Sequence, residues 1–114
     1  MRRARFDELI HAPLRLQICA LLAPVQSLPF ADLRDSLKIS DSVLSKHLSA
    51  LADAGYVEVS RVRADARSRR QVALTRPGRA ALRAHLAALQ AIVAAAESKA
   101  PGQPSRAPQV LPAA

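Results

Sequence analysis

The sequence predicts a mainly α-helical domain with one small β-hairpin. Apolar residues recur at helical spacing in several segments, two short stretches alternate apolar and polar residues, and prolines and glycines separate these segments. The 114 residues suit one domain, and a hydrophobic content of 50% is enough for a single core. Because only 3% of the residues are aromatic, Leu, Val, Ile and Ala have to build that core.

Short helices are predicted in the first half of the chain. Residues 5–10 can form a helical turn or two, and a helix begins near Pro13, since proline suits the first helical position. Pro24 and Pro29 bracket the loop that ends this helix. A second helix is predicted over 30–37, where apolar residues again follow helical spacing.

The third predicted helix is the most informative segment. Ser40 or Asp41 can cap its N-terminus, and Gly55 stops it because glycine adopts a left-handed conformation at no steric cost. Its apolar face consists of Leu44, His47, Leu48 and Leu51. The opposite face is left to small, polar and basic residues.

Two strands follow this helix. Residues 57–60 and 71–74 alternate apolar and polar side chains, which predicts strands with one buried face. The segment 61–70 between them is too polar for a core and rich in arginine. It is therefore predicted to be a hairpin loop exposed to solvent.

A long helix and a tail complete the chain. The helix is predicted over 77–99, opened by Pro77 with Thr75 or Arg76 near its cap, and at about 1.5 Å per residue it is roughly 35 Å long. The composition then changes to proline, glycine and polar residues, so 1–99 is interpreted as the domain and 100–114 as a disordered tail.

The long helix carries the spacing of a helix–helix contact. Small cores that are poor in aromatic residues are often completed by a partner subunit, which makes a homodimer an expectation. The predicted dimer interface takes four residues of this helix and three of the first segment: Leu82, Leu86, Leu89, Val93, Phe6, Leu9 and Ile10.

The charge balance points to a polyanionic partner. The chain has a net charge of +8, which favours nucleic acid first and an anionic membrane second. No apolar run approaches the roughly 18–20 residues of a membrane span, and the basic N-terminus does not resemble a signal peptide. Cys19 is the single cysteine, which excludes an internal disulfide. The interpretation is a cytoplasmic, nucleoid-associated protein without a membrane partner.

Two short helices followed by a basic hairpin form a device that can read duplex DNA. On the third helix the predicted DNA-binding residues are Asp41, Ser42, Ser45, Lys46, His47 and Ser49; on the hairpin they are Arg61, Arg63, Arg67, Arg69 and Arg70. Lys46 suits a phosphate or a guanine, and Arg67 near the hairpin tip suits a minor groove. Asp41 either caps the helix or accepts from a cytosine amine, and His47 either touches a phosphate or packs against a neighbouring helix.

Four stretches resemble one known family: 13–22, the "Leu-Ser-Lys-His-Leu" helix within 40–57, 65–70, and the "Leu-Thr-Arg-Pro-Gly-Arg" segment 74–79. Together they resemble the MarR/ArsR-type winged helix-turn-helix regulators, closest to the short MarR-like branch, over about residues 8–95. The resemblance implies an α-α-α-β-β-α winged helix in which the third helix is the recognition helix and the hairpin is the wing. It also implies a twofold dimer built by the terminal helices, and it leaves room for a small-molecule effector that the sequence does not identify.

The sequence departs from the metal-sensing members of that family. Pro29 and Ala31 occupy the positions where such members carry a cysteine pair, and His85 and Glu97 on the last helix are far apart. No metal and no cofactor are therefore expected. Cys19, beside Ile18 on an apolar helix, is interpreted as an inert buried thiol in preference to a redox switch.

The functional prediction is a homodimeric transcriptional regulator, a repressor that binds a pseudo-palindromic operator. No catalytic constellation is suggested, and three glycines do not make a phosphate-binding loop, so no enzyme activity is expected. Two alternatives stay open: a winged-helix adaptor that binds an acidic protein, and an architectural protein that binds DNA without sequence preference.

Overall fold

A computed structural model describes residues 4–64 and 67–98, without the side chains of Ala64 and Arg67. The helices and strands run in the order α1 (Glu8–His11), α2 (Pro13–Leu22), β1 (Leu28–Pro29), α3 (Phe30–Leu37), α4 (Asp41–Asp53), β2 (Val57–Ala64), β3 (Arg67–Leu74) and α5 (Arg76–Glu97). The predicted fold class, a mainly helical winged helix with one hairpin, is confirmed. The predicted tail 100–114 lies outside the described residues.

The helix–turn–helix consists of α3 and α4. Lys38 ends α3 in a left-handed conformation, with φ of 55°, and its N–H returns to the carbonyls of Arg34 and Asp35. Ser40 then caps α4, because its hydroxyl accepts a hydrogen bond from the Val43 N–H at 3.1 Å. Of the two caps that the sequence allowed, Ser40 is the one used, and Asp41 is free to interact elsewhere.

The hairpin is longer than the sequence predicted. Strands β2 and β3 pair in antiparallel register from Val57 opposite Leu74 to Ala64 opposite Arg67. The prediction of a loop over 61–70 is therefore wrong in extent, because arginine-rich strands can pair through their backbones while most of their charged side chains stay exposed to water. Apart from the gap at 65–66, the predicted loop residues are strand residues.

Strand β1 was not predicted. It adds Leu28 opposite Val72 and Pro29 opposite Gln71, which gives a three-stranded sheet in the order β1-β3-β2. Two residues carry no detectable alternation, and proline is tolerated in this position because β1 is an edge strand. The strand fixes the start of α3 against the middle of the wing.

The hydrophobic core lies between α2, α3, α4 and the sheet. Its members are almost all aliphatic, as the composition predicted; the fully buried ones include Ile18, Leu22, Leu33, Leu44, Leu51 and Val72. Cys19 is also fully buried, and burial raises the pKa of its thiol to about 11, with a further contribution from the charge of Asp7. A thiol of that pKa is almost entirely protonated near neutral pH, in agreement with an inert core residue.

Helix α5 begins where the hairpin ends. Thr75 caps it by accepting from the Gly78 N–H at 3.0 Å, and the Thr75 hydroxyl donates to the Gly55 carbonyl at 2.6 Å. A Cβ at position 78 would collide with the main chain of Tyr56, so only glycine allows this contact between helix and hairpin. From residue 90 to residue 98 every side chain is exposed, so this end of α5 projects beyond the rest of the described fold.

By length and composition alone, α5 is apolar enough to cross a membrane, which the sequence analysis did not expect. Nine of its 22 residues are alanine, and Arg83, His85 and Gln90 interrupt the apolar sequence. The larger apolar side chains Leu86, Leu89 and Val93 line one groove along the helix. Such a stripe is typical of contact with a partner helix.

The N-terminal segment is attached to α5 by polar contacts. The Arg5 N–H donates to the Ala84 carbonyl at 3.0 Å, and the Asp7 N–H donates to His85 Nδ1 at 2.9 Å. The Asp7 carboxylate caps α1 and accepts from the Tyr56 hydroxyl at 2.6 Å. This hydrogen bond is the largest of the effects that raise the pKa of Tyr56.

The protomer's own packing corrects part of the predicted dimer interface. Ile10 and Leu82 are 0% and 4% exposed and belong to the protomer core, so they have no surface left for a partner. Leu9 is partly buried against the same core. Phe6, Leu86 and Val93 remain accessible, at 39%, 42% and 52%.

Candidate nucleic-acid interface

The exposed face of α4 is polar and small. Asp41, Ser42, Lys46 and Ser49 are exposed, and Ser45 is half-buried on the side toward the hairpin. The opposite face is anchored by Leu44, Leu48 and Leu51 in the core. Because the anchoring residues fix the rotation of the helix, this polar face is held outward and is unobstructed by any described part of the chain.

Asp41 takes part in an ion-pair network with α3. Arg34 donates to the carboxylates of Asp35 and Asp41, both at 2.9 Å. These hydrogen bonds raise the pKa of Arg34, so it stays a cation at every relevant pH. Because Arg34 is shared between two carboxylates, the network keeps a net negative charge, and the ion pair offsets only part of the repulsion between Asp41 and a nearby phosphate.

His47 packs inward, one of the two alternatives that the sequence left open. Its Nδ1 lies 3.2 Å from an Arg15 guanidinium nitrogen, and Arg15 also donates to the Leu9 carbonyl at 2.7 Å. Since Arg15 can only donate, His47 Nδ1 accepts. Burial, followed by the charges of Arg15 and Lys46, lowers the pKa of His47. His47 therefore links α4 to α2 as a neutral ring.

The hairpin arginines divide between its two faces. In paired antiparallel strands, residues directly opposite each other share a face and alternate with their neighbours. Arg61 opposite Arg70 and Arg63 opposite Ser68 therefore lie on the face that continues from Val57 and Val72. Arg69, opposite Val62, lies on the other face. Arg61, Arg63 and Arg69 are exposed, whereas the side chain of Arg67 is outside the described set.

Among the hairpin arginines whose side chains the structure describes, Arg70 is the exception because it is half-buried. Its guanidinium lies over the ring of Phe30, with its carbon 3.6 Å from the ring centroid, a close cation–π contact. The two residues line a cleft of about 280 Å³ between α4 and the hairpin. Ser45, Ser49 and Ala52 form the α4 side of this cleft, and Val59 contributes from β2.

Several residues of this surface were not identified from the sequence. Arg15, Phe30 and Arg34 each hold one predicted residue in place, namely His47, Arg70 and Asp41. Arg79 donates to the carbonyls of Ala23 and Val25 at 2.7 and 2.8 Å and so caps the end of α2. Neither periodicity nor local composition signals such pairs, because each pair joins two different elements that only the tertiary packing brings together.

The side chains that commonly bind metal ions do not form large clusters in the described part of the chain. Within residues 4–64 and 67–98 no group of three or more His, Cys, Asp or Glu side chains could hold a metal ion. His11 and His85 do approach each other, with 3.2 Å between Nδ1 and Nε2, but this pair is part of a hydrogen-bonded cluster.

Comparisons with known proteins place these features in context. The sequence model of one family, described as "Winged helix DNA-binding domain", matches residues 14–93. No curated protein matches the chain significantly.

Solved structures share the fold. A transcriptional regulator homologue from Pyrococcus horikoshii OT3 has 27% identity over 81% of this chain and 91% of its own, with a TM-score of 0.76. YusO from Bacillus subtilis has 20% identity over 79% of this chain and 63% of its own, with a TM-score of 0.70. The adhesin competence repressor AdcR from Streptococcus pyogenes has 21% identity, coverages of 75% and 62%, and a TM-score of 0.58. The chain thus spans less than two thirds of the last two.

Proposed function

Since the chain belongs to the family of winged helix DNA-binding domains, as the resemblance to MarR-like regulators predicted, we propose that it is a sequence-specific transcriptional regulator. In this proposal it is a homodimeric repressor that binds a pseudo-palindromic operator. One observation carries it: the exposed polar face of α4 stands beside a hairpin rich in exposed arginines. A major groove accommodates one helix, and a basic hairpin can follow the adjacent backbone or minor groove.

Helix α4 reads the bases in this proposal. Ser42, Ser45 and Ser49 are short hydrogen-bonding residues that let the helix approach base edges and the neighbouring sugar–phosphate backbone, and Lys46 reaches a phosphate or a guanine. Asp41, which accepts from Arg34 through Oδ1, is available to accept from a cytosine amine at the start of the helix. His47 makes no contact with DNA in this proposal; it supports the position of α4 through its hydrogen bond with Arg15.

The hairpin supplies charge. Arg61, Arg63 and Arg69 contact phosphates along the flanking backbone, and Arg67 near the tip enters the minor groove. Each neutralised phosphate releases counterions, so the affinity depends steeply on salt. The net charge of +8 adds long-range attraction to the same polyanion.

Dimerisation occurs through the projecting part of α5. Leu86, Leu89 and Val93 form a groove that opens to solvent, and burying such a stripe against a second copy removes apolar area from water. Phe6 adds exposed apolar surface from the N-terminal segment to the proposed interface, and the partly buried Leu9 belongs to the same segment. A twofold axis between two α5 helices then presents two α4 helices to one side of a duplex.

The remaining assignments follow from this role. The protein is cytoplasmic and associated with the nucleoid, it is not an enzyme, and it neither needs a cofactor nor enters a membrane. Repression is proposed by analogy with AdcR, which is described as a repressor. A small-molecule effector is a further proposed partner, without an assigned site.

The test is an unbiased selection of bound fragments from random duplex DNA, followed by titration over salt. We expect an enriched sequence with two half-sites about one helical turn apart, and an affinity that falls linearly on a log–log plot against salt. Binding with the same salt dependence but no sequence preference would favour the architectural alternative. If no duplex binds at low salt, the protein-binding adaptor becomes the better account.

A further inference from the structure

We propose that the cleft between α4 and the hairpin seats one sugar–phosphate strand, with Phe30 positioning Arg70 against a single phosphate. This inference rests on the proposed function, because it assumes that α4 enters a major groove and the hairpin reaches the neighbouring minor groove. Adjacent major and minor grooves of a duplex are separated by one backbone strand. That strand has to cross the space between α4 and the hairpin, which is the cleft lined by Phe30 and Arg70.

The chemistry of the cleft suits a strand rather than a base. Arg70 is its single charged lining residue, and Ser45 and Ser49 offer hydroxyls from the α4 side. The other walls, among them Leu48 and Val59, are apolar and can face sugar carbons. Because no carboxylate lines the cleft, nothing there repels an anion, and one guanidinium matches the charge of one phosphate.

Phe30 fixes the position of the Arg70 guanidinium in the cleft. Its ring is only 5% exposed and belongs to the first residue of α3, directly after the edge strand β1, so it is immobilised by the core. Stacking on the ring occupies one face of the guanidinium and leaves the N–H groups at its edge free to donate. No carboxylate of the described residues pairs with Arg70, unlike Arg34. A cation held in advance loses less rotamer entropy when it binds.

The first experiment measures the salt dependence of binding to a 30-base-pair duplex of arbitrary sequence by fluorescence anisotropy. Arg70→Gln is compared with Arg83→Gln, which removes the same charge from an exposed position on α5. For each protomer that contacts the duplex, we expect Arg70→Gln to make the log–log slope shallower by about 0.9 and to weaken binding roughly three- to fivefold, so a bound dimer shows about twice that change in slope. Arg83→Gln should leave the slope unchanged. Equal slopes for the two variants would overturn the inference.

The second experiment tests the positioning by Phe30. Phe30→Leu leaves a large apolar side chain in the core but removes the ring face. It is measured both alone and together with Arg70→Gln, and thermal melts establish that each variant is folded. If Phe30 acts through Arg70, Phe30→Leu weakens binding in the parent chain and has no further effect when Arg70 is absent. An equal loss in both backgrounds means that Phe30 serves only the fold, which overturns its positioning role.

The two hypotheses fail differently. If the unaltered chain binds no duplex at low salt, the proposed function itself is wrong. If it binds with a steep salt dependence while Arg70→Gln behaves like Arg83→Gln, the proposal of DNA binding stands, and only the proposal that the cleft binds a sugar–phosphate strand is wrong.

Discussion

Asp7 and His85 connect the N-terminal segment to α5 through a hydrogen bond from the Asp7 main-chain N–H to Nδ1 of the imidazole at 2.9 Å. The acceptor role of Nδ1 places the ring proton of neutral His85 on Nε2, which therefore donates to His11 Nδ1 at 3.2 Å. His85 is the one polar residue among the described residues that is buried completely, at 0% exposure. Only the neutral ring can make both hydrogen bonds, because Nδ1 must accept one while Nε2 donates the other.

Protonation of His85 is expected to destabilise the protein. Burial, and after it the proximity of His11, lowers the pKa of His85, while the charge of Asp7 acts in the opposite direction. The unfolded chain, with an ordinary pKa near 6.5, then binds more protons than the folded chain does. The contribution of neutral His85 to the free energy of unfolding is therefore fully present above pH 6.5, and it is lost as the pH falls toward the lowered pKa.

The measurement is thermal unfolding between about pH 7.5 and pH 5.5, a range in which histidines rather than carboxylates titrate. We expect the Tm of the parent chain to fall with acidification and the Tm of His85→Gln to fall less. His47→Gln serves as the comparison, because the pKa of His47 is also lowered. Each variant should remove only the part of the pH dependence of the Tm that its own histidine causes. Parallel curves for His85→Gln and the parent chain would mean that His85 does not sense the pH.

Gly78→Ala tests the close approach of α5 to the hairpin. An added Cβ meets the main chain of Tyr56, which cannot move without displacing the start of β2. We expect a loss of about 1–3 kcal/mol in the free energy of unfolding, measured by denaturant titration, the usual cost of overpacking. Ala80→Ser, at a half-buried position of the same helix, is the control and should cost much less. A Gly78→Ala variant as stable as the parent would show that this contact relaxes freely.

Leu86→Asp tests the dimer. The charge falls in the groove that also contains Leu89 and Val93, so it has to be desolvated if a partner helix covers this stripe. We expect monomers in light scattering and weaker DNA binding, because the two recognition helices are no longer linked. Ile92→Asp is the matched control, since Ile92 is 54% exposed and lies about 100° around the helix from Val93. A dimeric Leu86→Asp chain would place the interface elsewhere.

The sequence predicted the helices well because their signals are local. Pro13, Ser40, Gly55 and Thr75 mark helix ends by their own backbone and side-chain chemistry, and each does so in the structure. The contacts that hold the site were not predictable in this way. Phe30 meets Arg70 only because β1 pairs with β3, which is a tertiary event.

The predicted dimer residues show the same limit. Helical spacing identifies Leu82 and Leu86 as members of one stripe, yet Leu82 faces the protomer core while Leu86 is 42% exposed. Periodicity reports which residues share a face and carries no information on what covers it. Similarly, Ile10 was recognised as apolar, but only the packing of α1 against α2 and α4 reveals that it is already buried.

The central claim is that two copies of this chain read one face of a duplex through α4 and the hairpin. Hydroxyl-radical footprinting of the chain on the duplex recovered by selection tests this claim most directly. We predict two protected patches on the same side of the DNA, with centres about 10–10.5 base pairs apart, each flanked by minor-groove protection from a hairpin. A single uninterrupted patch, or uniform weak protection along the duplex, would contradict the account.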